Sequence, residues 1–106
     1  MSLVIVHTSC PGPDSAERIA RCLVEEGLAA CVSRIPGVVS TYRWQGELQV
    51  DQEVLLLIKT WMSRYKAVRK RVLELHPHEL PEIIAVEAAA SHRPYRDWVK
   101  RAVDLP

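Results

Sequence analysis

The chain lacks a strong charge of either sign: its 106 residues carry a net charge of +1. That removes any global electrostatic case for nucleic acid or anionic lipid as a partner. Cysteine is sparse and odd in number, with three residues, so no disulfide framework is expected. A reduced, cytoplasmic protein is the expectation. No apolar stretch approaches the ~20 residues of a membrane helix. Met1-Ser2 leads straight into Leu3-Val4-Ile5-Val6, without the basic start, apolar core and cleavage site of a secretory signal. No repeat, linker or low-complexity segment divides the chain, so one domain over residues 1–106 is expected.

Two further absences bear on chemistry. No glycine-rich anion loop with an arginine follows the first apolar run. Ser9-Cys10-Pro11-Gly12-Pro13 instead has prolines where backbone donors would be needed. This argues against an acylphosphatase-like enzyme and against a nucleotide cradle. The runs Leu3–Thr8 and Val50–Ile58 carry no aromatic residue, which argues against an RNA-binding sheet. The expectation is a protein that is not an enzyme.

What is present is a clear alternation of elements. Leu3–Thr8 is nearly continuous apolar sequence and reads as a central strand covered on both faces. Asp14, with Glu17 three residues on, reads as a helix cap. Ala16, Ile19, Ala20, Leu23 and Val24 then form a helical stripe, and Gly27 a left-handed cap. A very long second strand runs from Leu28 to Trp44, with Pro36-Gly37 inside it as a bulge or edge. Gln45-Gly46 supplies a turn, and a third strand runs from Glu47 to Lys59. There Leu48, Val50, Val54, Leu56 and Ile58 alternate onto one face. A helix over Ser63–Leu75 buries Tyr65, Val68, Val72 and Leu75. His76-Pro77-His78-Glu79-Leu80-Pro81 ends it as a stiff connection. Ile83–Ala88 is a fourth strand, and Pro94 opens a last helix with a stripe of Tyr95, Trp98, Val99 and Ala102.

This order is β-α-β-β-α-β plus a C-terminal helix. It predicts an α+β, ferredoxin-like antiparallel sheet with helices on one face and a long hairpin of the second and third strands. Strands of ~15 residues extend ~50 Å, whereas a chain this size has a radius of gyration near ~13 Å. The short outer strands cannot pair along that whole length. The overhang invites another chain, which points to intersubunit pairing with cyclic closure. Two shorter strands flanking a Pro36-Gly37 loop is the alternative.

The chain resembles the CutA family of divalent-cation-tolerance proteins. The likeness rests on Leu28–Val32, Ile35-Pro36-Gly37-Val38, Tyr42-x-Trp44-x-Gly46, Ile58-Lys59-Thr60, the His76–Ile83 segment and Tyr95-x-x-Trp98, all in order. The resemblance implies a ferredoxin-like homotrimer related to the nitrogen-regulatory PII proteins, with hairpins bridging subunits. It also implies a role in divalent metal ion tolerance, with copper the metal and zinc the alternative. Two departures stand out. His78 occupies a place that is usually aromatic in the family. Thr8 stands where some members have a cysteine discussed as a copper ligand; the nearest thiol is Cys10.

The candidate metal ligands are Cys31, His76, His78 and Glu79, because thiolate and imidazole suit copper or zinc. Their spacing matches no recognised motif, and a cysteine in an apolar strand is commonly a small buried hydrophobe. His7, inside the first strand, reads as a core or interface histidine, and Cys22 as a packing residue. Cys10, in its Pro-Gly loop, is the thiol expected to be most reactive. In PII-like trimers, clefts between subunits bind small anionic effectors. By that resemblance Lys59, Glu53 and Trp44 are candidate cleft residues, with Lys59 and the His76 turn lining it. Against this, Lys59 and Glu53 also read as an interstrand or intersubunit ion pair, and Tyr42 and Trp44 as trimer packing.

Overall fold

The computed structural model describes residues 2–104. Its elements are β1 (Leu3–Cys10), α1 (Pro13–Glu25), β2 (Cys31–Trp44), β3 (Glu47–Trp61), a 3-10 turn (Met62–Arg64), α2 (Tyr65–Leu75), β4 (Ile84–Glu87) and α3 (Arg93–Val103). The four strands form one antiparallel sheet in the order β2-β3-β1-β4. This is the ferredoxin-like order that the sequence predicts.

Strand parity divides the sheet into two unlike faces. Val4, Val6, Thr8 and Cys10 of β1, and Leu56, Ile58 and Thr60 of β3, are fully buried. They pack with Ala16, Ile19 and Leu23 of α1 and Val68 and Val72 of α2. Each large apolar side chain placed there contributes roughly 1.5–3 kcal/mol relative to exposure. Thr60 fits this core because its hydroxyl donates to the Leu28 carbonyl at 2.7 Å. On the other face, α3 covers only one end, where Val99 and Val103 close over Leu3 and Trp61.

Local chemistry sets the ends of α1, and here an expectation needs correction. Asp14 does not cap the helix. Gly12 is the N-cap and Pro13 the first helical residue, with no side-chain cap. The fixed φ of Pro13 suits that position and its missing N–H costs nothing there. Glu17 accepts from Arg21 at 3.0 Å, one turn on, and does not reach back to a cap. Val24, expected in the buried stripe, is 44% exposed. Gly27 behaves as expected, with φ +72°. Gly27 N–H donates to Val24 O at 3.1 Å and Leu28 N–H to Leu23 O at 2.9 Å, a Schellman closure.

Strand limits shift by a few residues. β1 runs on to Cys10 and β3 to Trp61, while β2 starts at Cys31 and β4 covers only Ile84–Glu87. Leu28–Ala30 are occupied by the helix exit, although Ala30 N–H still donates to Lys59 O at 2.9 Å. In α2, Tyr65 and Leu75 are only part-buried beside Val68 and Val72. In α3, Tyr95 and Trp98 of the expected stripe are exposed and stack on each other with centroids 5.6 Å apart.

The hairpin is continuous. Ile35 faces Leu55 and Val38 faces Glu53, so β2 carries one extra residue at Pro36-Gly37. Gly37, at φ +77°, supplies the left-handed backbone of this bulge. Trp44 pairs with Glu47 across Gln45 (φ +51°) and Gly46 (φ +82°), the two positive-φ residues of a tight hairpin turn. β1 pairs with β3 only from Trp61 back to Val54. From Glu53 to Glu47, β3 pairs with β2 alone among the described residues. The molecule is accordingly elongated, 45 × 26 × 21 Å, with a radius of gyration of 14.2 Å.

Candidate functional site

The registers place the candidate residues on a grid. On the face away from α1 and α2, Ile35, Leu55 and Ser9 lie side by side. Next come Ser33, Leu57, His7 and Ile84, and then Cys31, Lys59, Ile5 and Val86. Ile35, Ile84 and Val86 are exposed, as are Tyr95 and Trp98 of α3 beyond them. This open face is therefore apolar, with one ammonium, one imidazole and one thiol set into it.

The ammonium is Lys59. Its Nζ donates to the Ser33 hydroxyl and lies 4.0 Å from Cys31 Sγ. The three residues meet because Cys31 and Ser33 are two apart on β2 and Cys31 faces Lys59 in the ladder. Ser33 was not identified from the sequence; its period-two spacing from Cys31 was the available signal. Among the described residues of this one chain, neither Lys59 nor Glu53 has a group of opposite charge at ion-pair distance. Glu53 sits beside the bulge, opposite Val38. Tyr95, whose phenol burial and the nearby Cys31 push above its ordinary pKa, flanks this cluster.

A second grouping lies at the hairpin. Trp44 and Tyr42 line a surface cavity of about 410 Å³ together with Pro77, His78, Glu79 and Leu80. The sequence reading set Trp44 with Lys59 and Glu53; the fold sets it beside His78 and Glu79. Tyr42 donates its hydroxyl to Asp51, and this hydrogen bond raises the Tyr42 pKa.

The loop is held at this spot by His76. That ring is 8% exposed. Its Nε2 donates to Ser9 O at 2.7 Å, and its Nδ1 accepts from His78 N–H at 3.0 Å. Both ring nitrogens are thus engaged, and the pairing defines the neutral tautomer with the proton on Nε2. A ligating imidazole needs a free nitrogen lone pair, and this arrangement leaves none. His78 is exposed, its ring 5.1 Å from that of His76. Cys31 lies elsewhere. Ser9 pairs with Leu55 and Cys31 with Lys59 on opposite sides of β3, four residues along and two strand spacings across, so roughly 16 Å apart. Among the described residues no three of His, Cys, Asp and Glu converge as a metal cluster.

The expectation of a reactive Cys10 is overturned. Cys10 belongs to β1, not to the loop, and strand parity turns it inward, where it is fully buried. Burial pushes its thiol pKa up, a hydrogen bond with Ser15 offsets part of that, and Glu53 adds to it. A buried, protonated thiol is a poor nucleophile.

The family model described as CutA1 divalent ion tolerance protein matches residues 4–102. A protein of Thermus thermophilus named divalent-cation tolerance protein CutA is 47% identical over 96 residues, covering 91% of this chain and 93% of that protein. The crystal structure of CutA from Xylella fastidiosa superposes with a TM-score of 0.95 at 44% identity, over 98% of this chain and 100% of that one. A PII-like protein CutA from Nostoc, solved in apo form, gives a TM-score of 0.88 at 43% identity, over 94% and 96% of the two chains.

Proposed function

This chain belongs to the CutA1 divalent ion tolerance family, and from that premise we propose that it works as a non-enzymatic homotrimer in divalent-cation tolerance. The carrying observation is the pair of uncovered surfaces, the apolar open sheet face and the overhanging hairpin. Ile35, Ile84 and Val86 are exposed on the open face, and Val39, Leu48 and Val50 on the opposite face of the hairpin; large apolar side chains gathered at a surface in this way mark a place where another chain can bind. A β-hairpin reaching past its own sheet is suited to pairing with a neighbouring copy.

Copper, with zinc second, is the metal we assign to this role, and the ligands offered to it are His78 and Glu79 of the exposed loop. Glu79 is a hard oxygen donor and His78 a borderline nitrogen donor. Two donors in one chain make a weak site, so tight binding needs a third from a neighbouring subunit, with Cys31 of the open face the thiol available. His76 serves by orienting the loop through the His78 N–H. The site of action is proposed to be the cytoplasm. No helix among the described residues is long and apolar enough to cross a membrane.

Native mass spectrometry of protein purified without affinity-tag metals, followed by calorimetric copper titration, tests both parts. A trimer that takes up about one copper per subunit, with affinity clearly lowered in the His76→Ala/His78→Ala double variant, is the expected result. Unchanged affinity removes the loop from the site. His78→Ala alone separates ligation from loop anchoring.

A second reading is a PII-like sensor holding a small anionic ligand in the cleft between subunits. What favours it is Lys59, a cation on an apolar face that meets Ser33 and Cys31 and, among the described residues, no carboxylate at ion-pair distance. Trp44 and Glu53 are the further cleft residues proposed. A co-purifying small molecule in the same mass spectrum, lost in Lys59→Gln, is the outcome that selects this reading.

A further inference from the structure

The end of the molecule away from the hairpin tip carries a cavity that neither reading uses. It measures about 390 Å³ and is lined by Trp61, Ser63, Arg64, Lys100, Val103 and Asp104. We propose that it binds a small zwitterion or hydroxy acid: an oxyanion held by Arg64 and Lys100, and an N–H or O–H donor accepted by Asp104.

The geometry is that of held but unspent charges. Arg64 donates through Nε to Val103 O at 2.7 Å. That bond fixes the guanidinium plane against the end of α3, and among the described residues the two terminal nitrogens have no hydrogen-bond partner, leaving the fork that matches a carboxylate or phosphate. Lys100 stands over the Trp61 ring at 5.9 Å, so its ammonium is kept at the cavity wall. Asp104 lines the same space, yet neither Arg64 nor Lys100 comes within ion-pair distance of it among the described residues. Opposite charges facing one cavity without joining are bridged by a ligand that carries both complements. Trp61 and Val103 supply apolar wall for its carbon skeleton, and Ser63 a hydroxyl. Both are nearly buried in the packing of α3 on the sheet, so the wall is rigid.

Asp104 decides the class. Two cations alone would suit any phosphate. A carboxylate on the same wall repels a second negative charge and rewards a donor, which favours β-alanine-like or hydroxy-acid ligands over polyanions.

The probes are acetate, inorganic phosphate and β-alanine, titrated at constant ionic strength while the Trp61 indole N–H is followed by NMR. Saturable shifts are expected, with β-alanine binding at least several-fold tighter than acetate. Lys100→Gln should weaken β-alanine about tenfold or more, the scale of one charge-assisted hydrogen bond. Asp104→Asn should abolish the preference over acetate. Arg101→Gln, on the exposed side of α3, should change nothing. Arg64→Gln also cuts the tie to Val103, so Lys100→Gln is the deciding variant. Shifts that do not saturate, or that survive Lys100→Gln unchanged, overturn the proposal, as does tighter binding of phosphate than of β-alanine.

Discussion

The two halves of the β2–β3 hairpin share a ladder, a period and similar side chains, yet they live in different surroundings. In the half nearer β1, Leu56 and Ile58 are fully buried. In the outer half, Leu48 is 70% and Val50 60% exposed, on the same face of the same strand. Nothing in β3 itself changes between them. What changes is that α1 and α2 lie over the inner half, whereas among the described residues no helix packs over Leu48 and Val50. Alternating apolar residues mark a face suited to burial, and in the outer half this chain alone leaves that face exposed.

The sharpest test of that contrast is a matched pair. Leu56→Ala opens a cavity inside the α1–α2 core and should cost about 2–5 kcal/mol. Urea unfolding at fixed protein concentration measures it. Leu48→Ala removes the same atoms from the outer half. If the tip is bare, the change should stay within about 0.5 kcal/mol. If a neighbouring copy covers it, the loss should be larger and should grow on dilution, because assembly then contributes to stability by mass action. Equal, concentration-independent losses from both variants would break the comparison.

Next in size is the effect of a charge on the outer half. Val39, opposite Gln52, is 62% exposed. In a lone chain Val39→Glu is harmless, since the carboxylate stays in water. In an assembly whose subunits meet across the hairpin it must be desolvated, which is costly. If the proposed trimer forms through this contact, sedimentation velocity should show Val39→Glu as smaller species than the wild type. An intact trimer would show that the outer half is not the contact.

The fold was legible because its signals are local. The bulge announced itself by Pro36-Gly37, the turn by Gln45-Gly46, and the helix exit by Gly27. The misplacements came from parity and from distance. Ending β1 at Thr8 put Cys10 in a loop; two further residues of strand made it a core thiol. His76 looked like a ligand because it stands in a polar turn. Its real partner, Ser9, is 67 positions away, and no spacing rule reaches that far. Trp44, expected with Lys59 and Glu53 in a cleft between subunits, stands within its own chain beside His78 and Glu79, brought there by the loop that His76 pins. Sequence periodicity shows which residues share a face. It does not show which loop folds back across that face.

The smallest effect expected is also the most local comparison of inner with outer surroundings. Cys10 and Tyr42 both have raised pKa values, for opposite reasons: burial leads for Cys10, and a hydrogen bond donated to Asp51 leads for Tyr42. A group raised on folding adds stability below its unfolded pKa and loses it as pH climbs through the folded value. For Tyr42 that window opens above about 10, the ordinary tyrosine value, and for Cys10 above the ordinary thiol range. Tyr42 is exposed, so water and salt screen its share. Asp51→Asn should therefore return the tyrosinate absorbance midpoint of Tyr42 toward its ordinary value without measurable loss of stability at neutral pH. If a neighbouring subunit instead buries the outer half, the midpoint should stay raised in Asp51→Asn, because desolvation would have replaced the hydrogen bond as its cause. It should then fall on dilution to monomer, which makes this side chain a reporter of whether the outer half is covered.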